Sequence, residues 1–428
     1  MRTQGRVVVI GAGMAGLTAA HFLKEAGFEV VLLEQDSRPG GRIKSIKRNN
    51  DTIDVGAQFV HTNYTLTLAL ARTFDLESDL AKMQGADMMI RDGRFHIIPW
   101  GSVRVPAISL WSQIKMTRLF IPMLARRKHM GLEGWPNLLD LDKLELSTYT
   151  RLKLNEECLD YMVRALMLTY SMSEPEGISL AYFLRSLHMY VTTDAYCFRG
   201  GNDLLPKAIA RNLDIRYDTA VERILGNGAV RGVQTSKGEI EASAVIAAVP
   251  SPALLSLYAD WSAEQREFLE LFAYSKMPLV LYEGELPSTI SYWGGLFDRK
   301  AGHRVSFITF PHMKYDRASR ARYLLAWPLG TLGEELIDLS EATVVQTVTA
   351  ELRRAMPVEA ASLEPVSVVR HPHTYPQYRL GMFEKLLRFK ASEGKPKGLY
   401  FAGDYADGGL IEGAAQSGYQ AAQRLMAG

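Results

Sequence analysis

The residues whose types and spacing suggest chemistry begin near the start of the chain, in VVVIGAGMAGLTAAHFL. Gly11, Gly13 and Gly16 stand at the GxGxxG spacing, with Ala15 among them. Each glycine has a task in binding a phosphate. Gly11 makes a tight turn, Gly13 lets the backbone approach a pyrophosphate, and Gly16 lets a helix pack closely on a strand. Glu34 follows where a carboxylate accepts hydrogen bonds from a ribose diol, which argues against the 2′-phosphate of NADP. A second glycine cluster, Gly403, Gly408, Gly409 and Gly413, runs into IEGAAQSGYQAAQRL at the opposite end.

These residues need particular elements to hold them. RVVVIGAG reads as a short buried strand, followed by a helix through about Ala26 that Gly27 ends, and then a second strand, FEVVLLE. This is a βαβ unit, with the free N–H groups of its helix facing the anion. DTAVERI and EASAVIAAVP read as further strands. Ala414, Gly418 and Ala421 recur at helical spacing and predict tight packing of the last helix. Two insertions lie between these pieces. The first reads as mostly helical, and the second includes the strands YSKMPLVLYEG and RYLLAWPLG.

The run from Glu34 through Arg38 and Gly40-Gly41-Arg42 resembles the ExxxRxGGR segment of the flavoprotein amine oxidase superfamily. That superfamily includes monoamine and polyamine oxidases, protoporphyrinogen oxidase and phytoene desaturase. The resemblance extends over essentially the whole chain. It implies an α/β fold: a Rossmann-like FAD-binding domain (1–80, 200–262 and 378–428) interleaved with an α+β substrate-binding domain (81–199 and 263–377). It places Arg42 and Gly41 by the FAD pyrophosphate and Arg38 near the adenosine half. Gly56 and Ala57 fall in IDVGAQFVHTNY, similar to the segment passing the flavin ring, and Val221 matches the position against adenine. FRGGNDLLPKAIARNL resembles the return into the FAD domain. Gly403 and Asp404 match the loop at the ribityl chain, and Glu412 to Ala414 match the helix N-terminus aimed at the flavin pyrimidine. FAD is thus held at two ends. Covalent thioether attachment is not expected, because no cysteine lies in the matching segment.

For the reaction itself, Lys276 resembles the polyamine oxidase lysine that reaches flavin N5 through a water, where desolvation would lower its pKa. His61 matches a histidine found in polyamine and spermine oxidases, though Phe59 and Thr62 depart from their motif. Leu410 stands where amine oxidases place an aromatic residue of a cage around the substrate nitrogen. HPHTYPQYRLG instead resembles the protoporphyrinogen oxidase type, with Tyr375 or Tyr378 as an aromatic wall. The resemblance implies oxidation of an amine or C–N bond in a fairly apolar small molecule, with oxygen or another acceptor taking the electrons. Dehydrogenation of C–C bonds is the alternative, and a non-redox isomerase or binding module the third reading.

Composition bounds the rest. The 428 residues are too many for one ordinary core and fit two interleaved domains. A formal charge of +2 with no long basic run gives no nucleic-acid partner. Cys158 and Cys197 fit no metal spacing, so no metal is expected and a reducing, cytoplasmic compartment is. The N-terminus does not read as a signal peptide, and no apolar run reaches the ~18 residues of a membrane span. SLWSQIKMTRLFIPMLARRKHM mixes large apolar residues with Lys115, Arg118, Arg126, Arg127 and Lys128. It reads as a helix broken at Pro122 with a solvated basic face; a mouth for a greasy substrate or a membrane contact are its other readings.

Overall fold

The computed structural model describes residues 5–100, 102, 104–131, 134–314, 322–392 and 394–428. The chain forms two compact units: Met1–Leu80, Phe198–Ala273 and Met382–Gly428 in the first, Ala81–Cys197 and Tyr274–Gly381 in the second.

The first unit is built on five parallel strands in the order Ile215–Arg216, Val30–Leu33, Val7–Ile10, Ala244–Ala247, Leu399–Phe401. Val7–Ile10 lies at the centre and is wholly buried, as its run of β-branched residues allows. Val7 pairs with Val30 on one side and Ala244 on the other. The helix Met14–Glu25 follows at once and stops at Ala26, before Gly27. The last helix, Ile411–Ala427, packs on it so closely that a Cβ on Gly418 would lie 2.0 Å from the Ala15 carbonyl oxygen. Phe22 and Tyr419 meet edge to face beside that contact. An antiparallel ribbon of Val221–Gly226, Val230–Thr235 and Gly238–Glu241 completes the unit.

The segment 263–273 belongs with this unit rather than the second. The helix Ala263–Leu271 stacks Phe268 on Phe389 at 4.5 Å, and Gln265 donates to Ser392 at 2.9 Å.

The second unit carries a mixed seven-stranded sheet in the order Glu364–His371, Met277–Glu283, Tyr323–Trp327, Phe307–Thr309, Gly294–Leu296, Ala86–Arg91, Arg94–Pro99. The last two strands come from the first insertion, which is otherwise mostly helical as expected. Asp92 and Gly93 both have positive φ, so a two-residue turn folds Ala86–Pro99 into a hairpin. The other strand contacts are antiparallel, but Gly294–Leu296 joins Ala86–Arg91 in parallel. Residues 378–381 also belong here. Tyr378 is fully buried, stacked between Trp135 and Tyr182 at 5.1 and 4.8 Å. The helix Leu110–Ala125 runs on through Pro122 instead of breaking there. The proline sits in its last turn and, lacking an N–H, gives up the bond to the Arg118 carbonyl without ending the helix. Among the described residues no helix is long and apolar enough to cross a membrane, and no cluster suits a metal ion.

Candidate functional site

In the first unit the glycine spacing becomes a cradle. Gly11 turns with φ +96°, and its N–H donates to the Leu33 carbonyl at 2.8 Å. A Cβ on Gly16 would lie 1.9 Å from the Gly11 carbonyl oxygen, so no side chain fits there. A Cβ on Gly13 would meet nothing within 4 Å, although Ala12, Met14 and Ala15 are buried. Gly13 is the N-cap of its helix, and no side chain caps it. Open space therefore borders uncapped N–H groups, an arrangement that suits an anion. Gly41 faces this opening: a Cβ on it would lie 3.4 Å from Gly13 Cα, and Gly40 N–H donates to Ala12 at 2.8 Å.

Glu34 is buried at the end of its strand. Its carboxylate accepts from Ala12 N–H at 2.6 Å and Asp36 N–H at 2.9 Å. Burial pushes its pKa up, and those two N–H groups pull it back. Each carboxylate oxygen keeps a second lone pair for a diol. Arg38 turns inward to its own loop, donating to the carbonyls of Pro39, Ile43 and Gly41. That geometry holds the glycine pair in shape. Arg42 bonds Asp404 at 2.5 Å, tying the second loop to the far end of the chain. Asp404 is buried, while the Arg42 side chain is more than a third exposed.

Gly56 has no room for a side chain, since a Cβ there would lie 2.0 Å from the Arg42 carbonyl oxygen. Ala57 N–H donates to that same oxygen at 3.1 Å. Two residues passed over in the sequence lock this segment. Asp54 accepts from Ser45 at 2.6 Å and from Asn202 N–H at 2.9 Å, and Asn202 donates to the Ala57 carbonyl. Their signal is a polar residue inside otherwise apolar or glycine-rich runs, IDVGAQ and RGGND. Val221 starts its strand beside a bulge, half-buried.

At the last helix, the Glu412 side chain has a task of its own. The Glu412 carboxylate is buried and accepts from Leu66 N–H, Thr67 N–H, the Thr67 hydroxyl, the Thr65 hydroxyl and Gln416. It caps the start of the helix Thr65–Thr73 from outside, so its side chain has a structural task. Only the backbone of Glu412, in the first turn, is left for a ligand. Ala414 N–H is engaged by the Leu410 carbonyl at 3.0 Å. Gly403 N–H donates to Ser417 at 2.9 Å, which fixes the loop ahead of Asp404. Leu410 is the N-cap residue of the last helix and is half-buried. His61 is buried, packed edge to face with Phe59 and Tyr64 at 5.1 and 5.4 Å.

In the second unit, Lys276 is exposed, one residue before the strand Met277–Glu283. Ser275 pairs its backbone with Tyr375 and Thr374, which holds Lys276 just before Met277–Glu283. Tyr378 is not a substrate wall: it lies wholly within the core. The half-buried Tyr375 hydrogen-bonds the buried Tyr182, which in turn bonds Ser171 at 3.1 Å.

The fold brings together a different group. Asp87, half-buried overall, has its carboxyl tucked into the second unit, where desolvation pushes it up to about 7. One oxygen accepts from Trp100 Nε1 at 3.0 Å. The other is buried and has no hydrogen-bond partner among the described residues. Trp100 meets Trp293 edge to face at 5.8 Å. Tyr170 stacks on Tyr190 at 3.7 Å, and burial with the nearby Asp87 carboxylate pushes the Tyr170 hydroxyl pKa upward. Sequence reasoning missed this group because Asp87 stands alone in ADMMIRDG, with no motif around it.

Comparison with known proteins agrees with this architecture. Coproporphyrinogen III oxidase of Staphylococcus aureus is 20% identical over 428 residues, covering 90% of this chain and 91% of that protein. A structure of putrescine oxidase bound to putrescine superposes with a TM-score of 0.79 at 20% identity, over 99% of both chains. Cyclohexylamine oxidase from Brevibacterium oxydans superposes with a TM-score of 0.77 at 19% identity, over 99% of this chain and 98% of that one. The profile of the flavin-containing amine oxidoreductases matches residues 14–426, and the chain belongs to that family.

Proposed function

We propose that this FAD-dependent oxidoreductase oxidises an amine, or a C–N bond, in a fairly apolar small molecule. The observation that carries the reading is Asp87: a half-buried residue of the second unit whose Oδ1 is buried with no hydrogen-bond partner among the described residues, beside Trp100 and near Tyr170, with Trp293 and Tyr190 packed on those two rings. A buried polar atom left without a partner is costly, and a ligand that supplies one relieves the cost. An ammonium group fits best, because it pairs with the carboxylate and is attracted to aromatic faces. In this reading Asp87 binds and orients the nitrogen, and the rings exclude water from it.

Family membership implies FAD, and the first unit suits it. The open side of Gly13 and the uncapped helix would receive the pyrophosphate, with Arg42 beside it. Glu34 would hold the ribose, and Asp404 the ribityl side. We take the attachment to be non-covalent, and the two buried cysteines to favour a reducing, cytoplasmic setting. When bound, FAD supplies a two-electron acceptor at N5 for the hydride on the carbon next to nitrogen. The substrate nitrogen must first shed a proton. Lys276, exposed at its strand end, and His61 are the candidates to handle it. Oxygen or another acceptor then takes the electrons.

Anaerobic mixing with apolar primary and secondary amines tests the proposal, with loss of the yellow flavin absorbance as the expected result. Bleaching by porphyrinogens or polyenes but not by amines would replace it with C–C dehydrogenation, which Leu410 at the head of the last helix favours. No bleaching by either class would point to the non-redox reading. Lys276→Met, studied by stopped flow, separates its possible roles. Acid–base assistance is worth about 10²–10⁴-fold. Slowed flavin reduction assigns Lys276 to the substrate, and slowed reoxidation alone assigns it to the acceptor. A change within about twofold removes it from the reaction.

A further inference from the structure

The helix Leu110–Ala125 is apolar on two opposite faces. One face, Ser112, Met116, Leu119 and Met123, is buried in the second unit. The other is in solvent: Leu110 is 73% exposed, Ile114 52%, Ile121 67% and Leu124 57%, with Trp111 at 61% on its flank. The first four follow i, i+4, i+11 and i+14, so they form one ridge along the helix. Single exposed apolar residues are ordinary, but a ridge of large side chains marks an interaction surface. Leu152 is exposed close by, on the helix Leu146–Lys153, where Arg118 donates to the Lys153 carbonyl at 2.8 Å.

The charge around the ridge identifies what covers it. Residues 93–132 contain seven Lys or Arg and no Asp or Glu. Arg118, Arg127 and Lys128 are exposed, and several of the basic residues lie at the rim of the ridge. Lys115 reaches the Leu154 carbonyl at 3.0 Å and lies 5.4 Å from the centre of the Trp111 ring. Arg126 pairs with Asp140, and Arg127, Lys128 and His129 are exposed just past the helix end. A second copy on the same ridge would bring like charge against like charge, because a two-fold contact uses one patch twice. A nucleic acid would meet the cations but leave the apolar ridge uncompensated. An anionic lipid surface satisfies both parts: acyl chains take the ridge, headgroups take the rim, and Trp111 sits at the boundary.

We infer that the ridge Leu110–Leu124 with its basic rim docks the protein, without spanning, on an anionic bilayer surface. The test is co-sedimentation of the full-length holoprotein with vesicles of equimolar phosphatidylcholine and phosphatidylglycerol, against phosphatidylcholine alone. Binding to the anionic vesicles that weakens in high salt is expected. The variant carrying both Ile114→Glu and Ile121→Glu should bind about tenfold more weakly or worse. Both positions are exposed, so flavin content and thermal midpoint should match the parent protein. Failure of the parent to bind anionic vesicles, equal binding to neutral ones, or a variant that binds like the parent would each overturn the inference. So would a concentration-dependent dimer, seen by analytical ultracentrifugation, that the two substitutions abolish; that result assigns the ridge to a second copy.

Discussion

Glu34 and Asp87 are both carboxylates whose pKa burial raises, one in each unit, and their surroundings differ. Glu34 ends a buried strand and receives two backbone N–H groups from the loops it joins. Asp87 receives a single indole N–H, and its other oxygen has no hydrogen-bond partner among the described residues. The first unit satisfies its buried charge with backbone and then presents open space beside Gly13. The second unit leaves part of a charge unsatisfied among aromatic rings. A satisfied carboxylate suits holding a cofactor that stays; an unsatisfied one suits a ligand that comes and goes.

The sharpest way to break this contrast is Gly16→Val. Its side chain has no space against the Gly11 carbonyl, so the strand–helix junction must move. We expect colourless protein, or none that folds, as judged by flavin content after purification. Yellow, stable Gly16→Val protein would mean that the cradle does not depend on that close contact.

Asp87→Asn tests the other side. Loss of a charge-assisted hydrogen bond should raise KM for an amine substrate by about 10- to 100-fold, while FAD content is unchanged. The pH dependence has a definite sign. Because burial raises the Asp87 pKa to about 7, the group folds neutral and without penalty at low pH. As pH rises from about 4 toward 7 the unfolded chain ionises this group while the fold keeps it neutral, so stability falls over that range and levels off above it, and amine binding improves as the charge forms near 7. In Asp87→Asn both trends should flatten, measured by thermal midpoint and KM across that window. Identical pH profiles in parent and variant would remove Asp87 from substrate recognition.

Glu412→Gln should have a smaller and purely structural effect. The amide keeps the shape but turns a donor toward the N–H groups of Leu66 and Thr67, costing about 1–3 kcal/mol of stability. The expected readout is a lower thermal midpoint with turnover preserved at saturating FAD. Turnover lost at full FAD occupancy would instead give the Glu412 side chain a place in the chemistry.

What the sequence determined by itself is the nucleotide half. Gly11, Gly16, Gly56 and Gly418 each mark a place where backbone meets backbone, and only one residue type fits such a place. A local steric demand leaves a local trace, so strand, loop, helix and Glu34 can be read in order along the chain. What only the tertiary structure decided is which side chains meet across long separations. Tyr378 reads as a pocket wall, yet Trp135 and Tyr182 enclose it on both faces. Glu412 reads as a cofactor contact, yet its carboxylate serves a helix that starts nearly 350 residues earlier. Asp87 has no motif at all; its surroundings come from Trp100 on its own hairpin, Trp293 beside a distant strand, and Tyr170. Burial and pairing of a charge are properties of the assembled environment, and no spacing along one segment encodes them.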